Sequence, residues 1–128
     1  RSDHLCREII HPSPGLVSFA FFDGWSYPAC VLGQITKNNR LIYIDTVFLE
    51  GSDVATLLKT QVGPLLRSPK WTDTTTREGK WRSWRIGGDF SMGIPDQGNI
   101  LHKTSDDVEK FFEQFDRGSK PRFEAGSI

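Results

Sequence analysis

The chain has 128 residues, with 16 Lys and Arg against 16 Asp and Glu, so it has no net charge when its histidines are neutral. This length predicts one domain with its own core, and the charge balance gives no sign of a global attraction to nucleic acid or membranes. No apolar run reaches the roughly 18 residues of a membrane span, and no signal-peptide pattern is present, so we expect no membrane association. Cys6 and Cys30 lack metal-ligand spacing, which favours reduced thiols over a zinc site or a disulfide scaffold.

The first half of the chain has the pattern of three consecutive strands. Residues 16–22, 29–36 and 41–49 are rich in β-branched and aromatic residues, and short polar or glycine-containing segments separate them. We therefore expect an antiparallel meander. Residues 1–15 mix charges with prolines, which favour extended or turn conformations. They predict an N-terminal arm or linker before a single domain over residues 16–128.

The second half of the chain changes from strand to helix periodicity. Residues 53–66 predict an amphipathic helix that Ser52 caps. A polar connection then leads to a fourth strand over residues 80–86, which runs into residues 87–89. A further helix begins with Thr104 as its cap. Its apolar stripe consists of Val108, Phe111, Phe112 and Phe115. The order of these elements predicts an α/β fold with a mixed sheet.

Two predicted strands lead into an aspartate. Asp23 follows the apolar run of the first strand, and Asp89 follows the fourth. If these strands are neighbours, the carboxylates meet at one end of the sheet and can bind Mg²⁺ or Mn²⁺, which prefer oxygen ligands. Two such ions about 3.5–4 Å apart activate water and stabilise the leaving oxygen in phosphodiester cleavage. The alternative is that each aspartate only caps a turn. Asp45, inside the third strand, is a possible auxiliary ligand, and a salt bridge or contact with solvent is the alternative.

The segment that leads into the fourth strand is locally basic and aromatic. Residues 67–85 contain three tryptophans and only two acids. Nucleic-acid surfaces combine cations that contact phosphates with aromatic faces that stack on bases, so this pattern predicts a DNA contact. A solvated edge strand with its tryptophans in the core is the alternative. The cations that we predict to contact DNA are Lys70, Arg77, Lys80, Arg82 and Arg85.

Several short segments resemble the nuclease domain of the large terminase subunit of tailed phages. They are residues 22–34 (FDGWSYPACVLGQ), 40–45 (RLIYID), the helix over 54–66 with its Pro-Leu-Leu, 88–91 (GDFS) and 123–126 (FEAG). Together they span most of the chain. The resemblance implies an RNase H-like fold and a metal-dependent endonuclease that cuts concatemeric double-stranded viral DNA during genome packaging.

By position in that family, Asp23 and Asp89 would hold the metal, as two ions of Mg²⁺ or Mn²⁺. In a full-length protein, the resemblance implies an ATPase motor domain, a portal and a small terminase subunit as partners, and the host cytoplasm as the location. The third acid of the family usually lies beyond residues 123–126. We therefore expect either that the chain ends before this acid or that a nearer one, such as Asp96 or Asp107, replaces it.

Two other functions stay open at this point. The chain could be a non-catalytic RNase H-like module that binds nucleic acid or a viral partner protein, or it could be another RNase H-like nuclease or resolvase. The separation of Asp23 and Asp89 discriminates between catalysis and binding. Carboxylates more than about 8 Å apart could not share a two-metal centre.

Overall fold

A mixed β-sheet forms the centre of the computed structural model, which describes residues 11–13, 15–23, 27–72, 83–89, 92, 103–116 and 121–126. The strands are β1 (Val17–Asp23), β2 (Ala29–Ile35), β3 (Leu41–Phe48), β4 (Trp84–Gly88) and β5 (Phe123–Ala125). Among the described residues they form one five-stranded sheet in the order β3-β2-β1-β4-β5. The first three strands are antiparallel, whereas β4 is parallel to both β1 and β5. The predicted meander and mixed α/β sheet are confirmed, and both are compatible with an RNase H-like fold.

The predicted first helix is present, with a π-helical turn in its middle. It consists of α1 (Val54–Leu57), a π-helical segment (Leu58–Val62) and α2 (Gly63–Leu66), and α3 (Thr104–Glu113) follows later in the chain. The N–H of Gly63 donates to the carbonyl of Leu58, five residues earlier. This wide turn directly precedes Pro64, which has no N–H to donate and whose ring clashes with the carbonyl four residues before it. The proline therefore interrupts the α-helical hydrogen bonding without ending the helix.

The helix N-termini differ by one residue from the predicted ones. Asp53 caps α1, and not Ser52, because its carboxylate accepts from the N–H of Thr56 at 2.9 Å and from the hydroxyl at 2.7 Å. These hydrogen bonds, the backbone one first, hold the pKa of Asp53 below its ordinary value. Lys103 occupies the N-cap position of α3, and Thr104 is its first helical residue.

The helices pack on one face of the sheet and form the core with it. Alternate residues of β1 point to this face, and Ala20 and Phe22 are fully buried there. Cys30 on β2 is a free, fully buried thiol, and desolvation raises its pKa well above the ordinary value. The other large members of the core include Leu32, Leu57, Val62, Trp71, Trp84, Ile86, Val108 and Phe112.

One side chain of α3 and one that follows it connect this helix to the parallel part of the sheet. Asp116, just beyond α3, accepts a hydrogen bond from the N–H of Trp84 at 2.9 Å, where β4 begins. Glu109 accepts from the N–H of Phe123 at 2.7 Å, where β5 begins. These bonds fix β4 and β5 relative to α3. Within the described residues, no helix is long and apolar enough to cross a bilayer.

The end of the predicted N-terminal arm is bound to the sheet. Gln34 on β2 is buried, with 2 % of its surface exposed. Its amide oxygen accepts from the N–H of Ser13 at 2.7 Å, and its amide nitrogen donates to the Ser13 carbonyl at 2.9 Å. Because both backbone groups of Ser13 are paired in this way, this residue is held against β2.

The fourth strand lies further along the chain than predicted. We expected residues 80–86, and the structure places β4 at Trp84–Gly88, while residues 80–82 lie outside the described part. The strand includes two glycines at which we expected it to end. A Cβ atom at Gly88 would lie only 2.6 Å from the carbonyl oxygen of Phe22 on β1. Glycine at this position therefore permits the close approach of the two parallel strands.

Candidate functional site

The two predicted aspartates lie at the ends of neighbouring parallel strands. Phe22 on β1 is the register partner of Gly88 on β4, so Asp23 and Asp89 follow at the same level of the sheet. The N–H of Asp89 donates to the carbonyl of Phe22 at 3.2 Å and continues the pairing beyond the strand. The prediction that the two strand ends are neighbours is confirmed.

The acid pair, by which we mean Asp23 and Asp89, lies on the sheet face opposite the helices. Phe22 points into the core, so Asp23, the next residue, points to the other face. Asp23 is exposed and Asp89 is half-buried. A ligand can therefore reach the pair from solvent without displacing any core residue.

The carboxyl groups of the acid pair are close enough to influence each other's ionisation. A hydrogen bond with Asp89 is the largest cause that raises the pKa of Asp23 above its ordinary value, followed by desolvation and by the charge of Asp89. Two neighbouring carboxylates repel each other when both are ionised. A proton or a cation between them removes this repulsion, so the arrangement favours binding of either.

The donor set of the acid pair fits a hard divalent cation. Carboxylate oxygens suit Mg²⁺ and Mn²⁺, and Mg²⁺ commonly uses one or two protein carboxylates together with water and substrate phosphates. In the described part of the chain, no group of three or more His, Cys, Asp or Glu residues is arranged to hold a metal. The structure thus brings together two of the ligands that the resemblance implies, and it adds no third from these residues.

Asp45 is not an auxiliary ligand, because it lies on the opposite face of the sheet. Its register partner is Leu32, a core residue beneath the helices. Its carboxylate accepts from Nζ of Lys70 at 3.0 Å and from Nε1 of Trp71 at 2.7 Å. Of the roles considered for Asp45, the structure shows the salt bridge.

Of the two other candidate acids, the structure places Asp107 away from the acid pair. Asp107 lies in the first turn of α3, and it lines a cavity between this helix and the π-helical segment. It is therefore on the helix side of the sheet. Asp96 lies outside the described residues.

The described cations of the predicted DNA-binding set are both in ion pairs. Lys70 pairs with Asp45, on the helix side. Arg85 donates from Nε and Nη2 to the Glu124 carboxylate at 2.9 and 2.7 Å. The bond to Glu124 raises the pKa of Arg85, and the bond from Arg85 lowers the pKa of Glu124. The other members of the predicted set lie outside the described residues; they are Arg77, Lys80 and Arg82. The predicted basic DNA surface therefore stays a prediction.

Sequence reasoning missed Glu124 as a member of the face that carries the acid pair. Glu124 on β5 is the register partner of Gly87, two residues before Asp89. Arg85 and Glu124 thus lie beside the acid pair, on the same face and on adjacent strands. The alternation in β5 covers only three residues, which is too short for periodicity to predict a strand.

Comparison with known protein families and with curated proteins finds no relative of this chain. No family model matches the chain, and no curated protein matches it in sequence. The site is therefore interpreted from its own residues.

Proposed function

We propose that this chain is a divalent-metal-dependent DNA endonuclease domain with an RNase H-like fold, in which Asp23 and Asp89 hold the metal. The observation that supports this most is that the two aspartates lie side by side at the ends of neighbouring parallel strands. The chain brings two like charges together on an exposed face, where this arrangement contributes nothing to the core. Crowded ionisable groups of this kind are typical of functional sites.

The metal in this proposal is Mg²⁺ or Mn²⁺, held by the carboxylate oxygens of the acid pair. When bound, such an ion activates water and stabilises charge on a phosphodiester. The contribution of the protein is to hold the two carboxylates in fixed positions relative to each other. The sheet holds both carboxylates at one level, and the hydrogen bond from Asp89 to Phe22 fixes the second acid relative to β1. The exposed side of Asp23 leaves room for a DNA phosphate to approach.

The proposed biological substrate is concatemeric double-stranded viral DNA, which would be cut during genome packaging in the host cytoplasm. This part of the proposal is supported by the resemblance to terminase nuclease domains. In a full-length protein the nuclease would then act together with an ATPase motor domain, a portal and a small terminase subunit.

A non-catalytic RNase H-like module that binds nucleic acid or a viral partner is the second candidate. One observation favours it: the described residues supply two carboxylates and no third for a metal centre. The geometric objection to catalysis would be a wide separation of Asp23 and Asp89, and the pairing of β1 with β4 places the two residues side by side instead.

The decisive experiment measures plasmid nicking and metal binding by the unsubstituted chain and by its variants. We expect the chain to nick supercoiled plasmid in Mg²⁺ or Mn²⁺, and we expect Asp23→Asn and Asp89→Asn to abolish nicking. Asp106→Asn is the matched control, because it removes an exposed carboxylate from α3 on the other side of the sheet.

Isothermal titration with Mn²⁺ completes the test without relying on cleavage. Heat of binding that disappears in Asp23→Asn and persists in Asp106→Asn supports a metal site at the acid pair. Nicking that survives Asp23→Asn refutes the proposed catalytic role. Metal binding by the unsubstituted chain without any nicking supports the binding module instead.

A further inference from the structure

A groove between the helices forms a second surface with the properties of a binding site. It lies between the π-helical segment and α3, and its cavity volume is about 460 Å³. Pockets for small ligands and side chains commonly have volumes of about 300–1,000 Å³. We call it the helix groove and define it by its floor, Leu58 and Phe111, and its rim, Lys59 and Lys110. It is on the opposite side of the sheet from the acid pair.

The floor of the helix groove is apolar and held in place by the core. Phe111 is only partly buried and supplies most of the apolar surface that a ligand can reach, whereas Leu58 beneath it is buried, with 3 % of its surface exposed. The Phe111 ring lies 5.3 Å from the ring of Phe112 and 5.2 Å from that of Phe115, centroid to centroid. The floor is therefore formed before any ligand arrives, which lowers the entropic cost of binding.

The rim of the helix groove is cationic. Lys59 and Lys110 are exposed on opposite walls, and no ion-pair partner for either is found in the described part of the chain. Arg67 lines one end of the groove, where it donates to Gln114 at 3.2 Å and lies over the Phe115 ring at 5.3 Å. Asp107 is the acid among the lining residues, so three cations face one carboxylate. The chain as a whole is neutral, so this excess is local.

An apolar floor between two cationic walls fits an acidic amphipathic peptide better than it fits a DNA backbone. A DNA backbone would pair with the lysines and leave the floor uncovered. An amphipathic acidic peptide would cover both parts, because its apolar side chains bury the floor while carboxylates on either side pair with the rim. We propose that the helix groove binds an acidic amphipathic segment of a partner protein.

The proposal is tested with a labelled helical peptide of about 16 residues, which carries leucines on one face and glutamates on both sides of them. Fluorescence polarisation with the full chain measures its affinity. A peptide with glutamine in place of each glutamate and a DNA duplex are the comparison probes. We expect the acidic peptide to bind at least about tenfold more tightly than the glutamine peptide.

The charge requirement is tested with the double variant Lys59→Glu, Lys110→Glu, which should weaken acidic-peptide binding about tenfold or more. The matched control is Lys37→Glu, Arg40→Glu, which makes the same charge change in the exposed turn between β2 and β3. The affinity of this control variant for the acidic peptide should stay within about twofold of that of the unsubstituted chain.

The shape requirement is tested by Ala55→Trp. Ala55 is an exposed residue that lines the groove, so a tryptophan there fills the space without entering the core. We expect an unchanged circular dichroism spectrum and loss of peptide binding. The proposal is overturned if no peptide binds, if both double variants weaken binding equally, or if the duplex depends on Lys59 and Lys110 as the peptide does. None of these measurements involves cleavage, so they leave the proposed nuclease function untouched.

Discussion

The substitution Gly88→Ala tests the close approach of β4 to β1 on which the acid pair depends. The added Cβ would lie 2.6 Å from the carbonyl oxygen of Phe22, and 2.9 Å from both Sδ of Met92 and Cζ of Phe123. The methionine side chain can move aside. The carbonyl oxygen of Phe22 belongs to the paired strand and moves only if the two strands separate.

The expected cost follows from this contact. Overpacking a well-packed interior typically costs about 1–3 kcal/mol. Since one of the close atoms is backbone, we expect about 2–3 kcal/mol, which lowers the Tm of a domain of this size by roughly 8–12 °C. Chemical denaturation followed by circular dichroism measures the free energy of unfolding. Mn²⁺ titration should also show weaker binding, because Asp89 moves with β4.

The matched control is Gly51→Ala. Gly51 has a φ of +68° and no atom within 4 Å of an added Cβ, so its substitution introduces backbone strain without a clash. Both alanines reduce the entropy of the unfolded chain equally, and we expect Gly51→Ala to cost about 1 kcal/mol with no effect on metal binding. Equal stability of the two variants would contradict the close approach of the strands. Unchanged Mn²⁺ affinity in Gly88→Ala would instead contradict the proposed metal site at the acid pair.

Three further predictions concern single side chains. Asp53→Ala removes the α1 cap and should lower the free energy of unfolding by about 1 kcal/mol near pH 7. Because the pKa of Asp53 is lowered from 3.8 in the folded state, the difference in stability between the two proteins should vanish as the pH falls through this lowered pKa. Urea unfolding at several pH values measures it. Trp71→Phe leaves Asp45 without its 2.7 Å donor and reduces a buried ring, so thermal unfolding should report a loss of about 2–3 kcal/mol. Because the neighbouring Asp89 raises the pKa of Asp23, the native state binds this proton more tightly than the unfolded state, and metal-free stability should decline as the pH rises from 3.8 through the raised pKa. Asp23→Asn should remove this decline, and an unchanged pH profile would show that the two acids do not interact.

The antiparallel part of the fold was predictable because its signals are local. Alternation and turn residues placed β1, β2 and β3 within one or two residues, and the apolar spacing placed the first helix at residues 53–66. The parallel pairing of β1 with β4 is different, because about 60 residues of chain separate them and no local pattern encodes which strands become neighbours. The two glycines at the end of β4 resembled a strand terminator, whereas in the structure they belong to the strand and Gly88 permits its close approach to β1.

The candidate site could be predicted only in part for a similar reason. Asp23 and Asp89 were recognisable because each follows an apolar strand. The exclusion of Asp45 required knowledge of the sheet face, which depends on the register between β2 and β3. That register shifts between Leu32 and Gly33, so alternation along β3 alone does not assign the face of Asp45. The position of Glu124 beside the acid pair follows only from the pairing of β5 with β4.

The buried thiol of Cys30 provides an internal reporter of how the central strands open. Only a thiolate reacts rapidly with alkylating reagents, and Cys30 is both inaccessible and shifted to a higher pKa by burial. In a Cys6→Ser background, the rate at which Cys30 is labelled therefore measures the equilibrium opening of β2, provided that reclosing is faster than the chemistry. Comparing this rate with and without Mn²⁺ would show whether a ligand at the exposed C-terminal end of β1 stabilises the neighbouring strand.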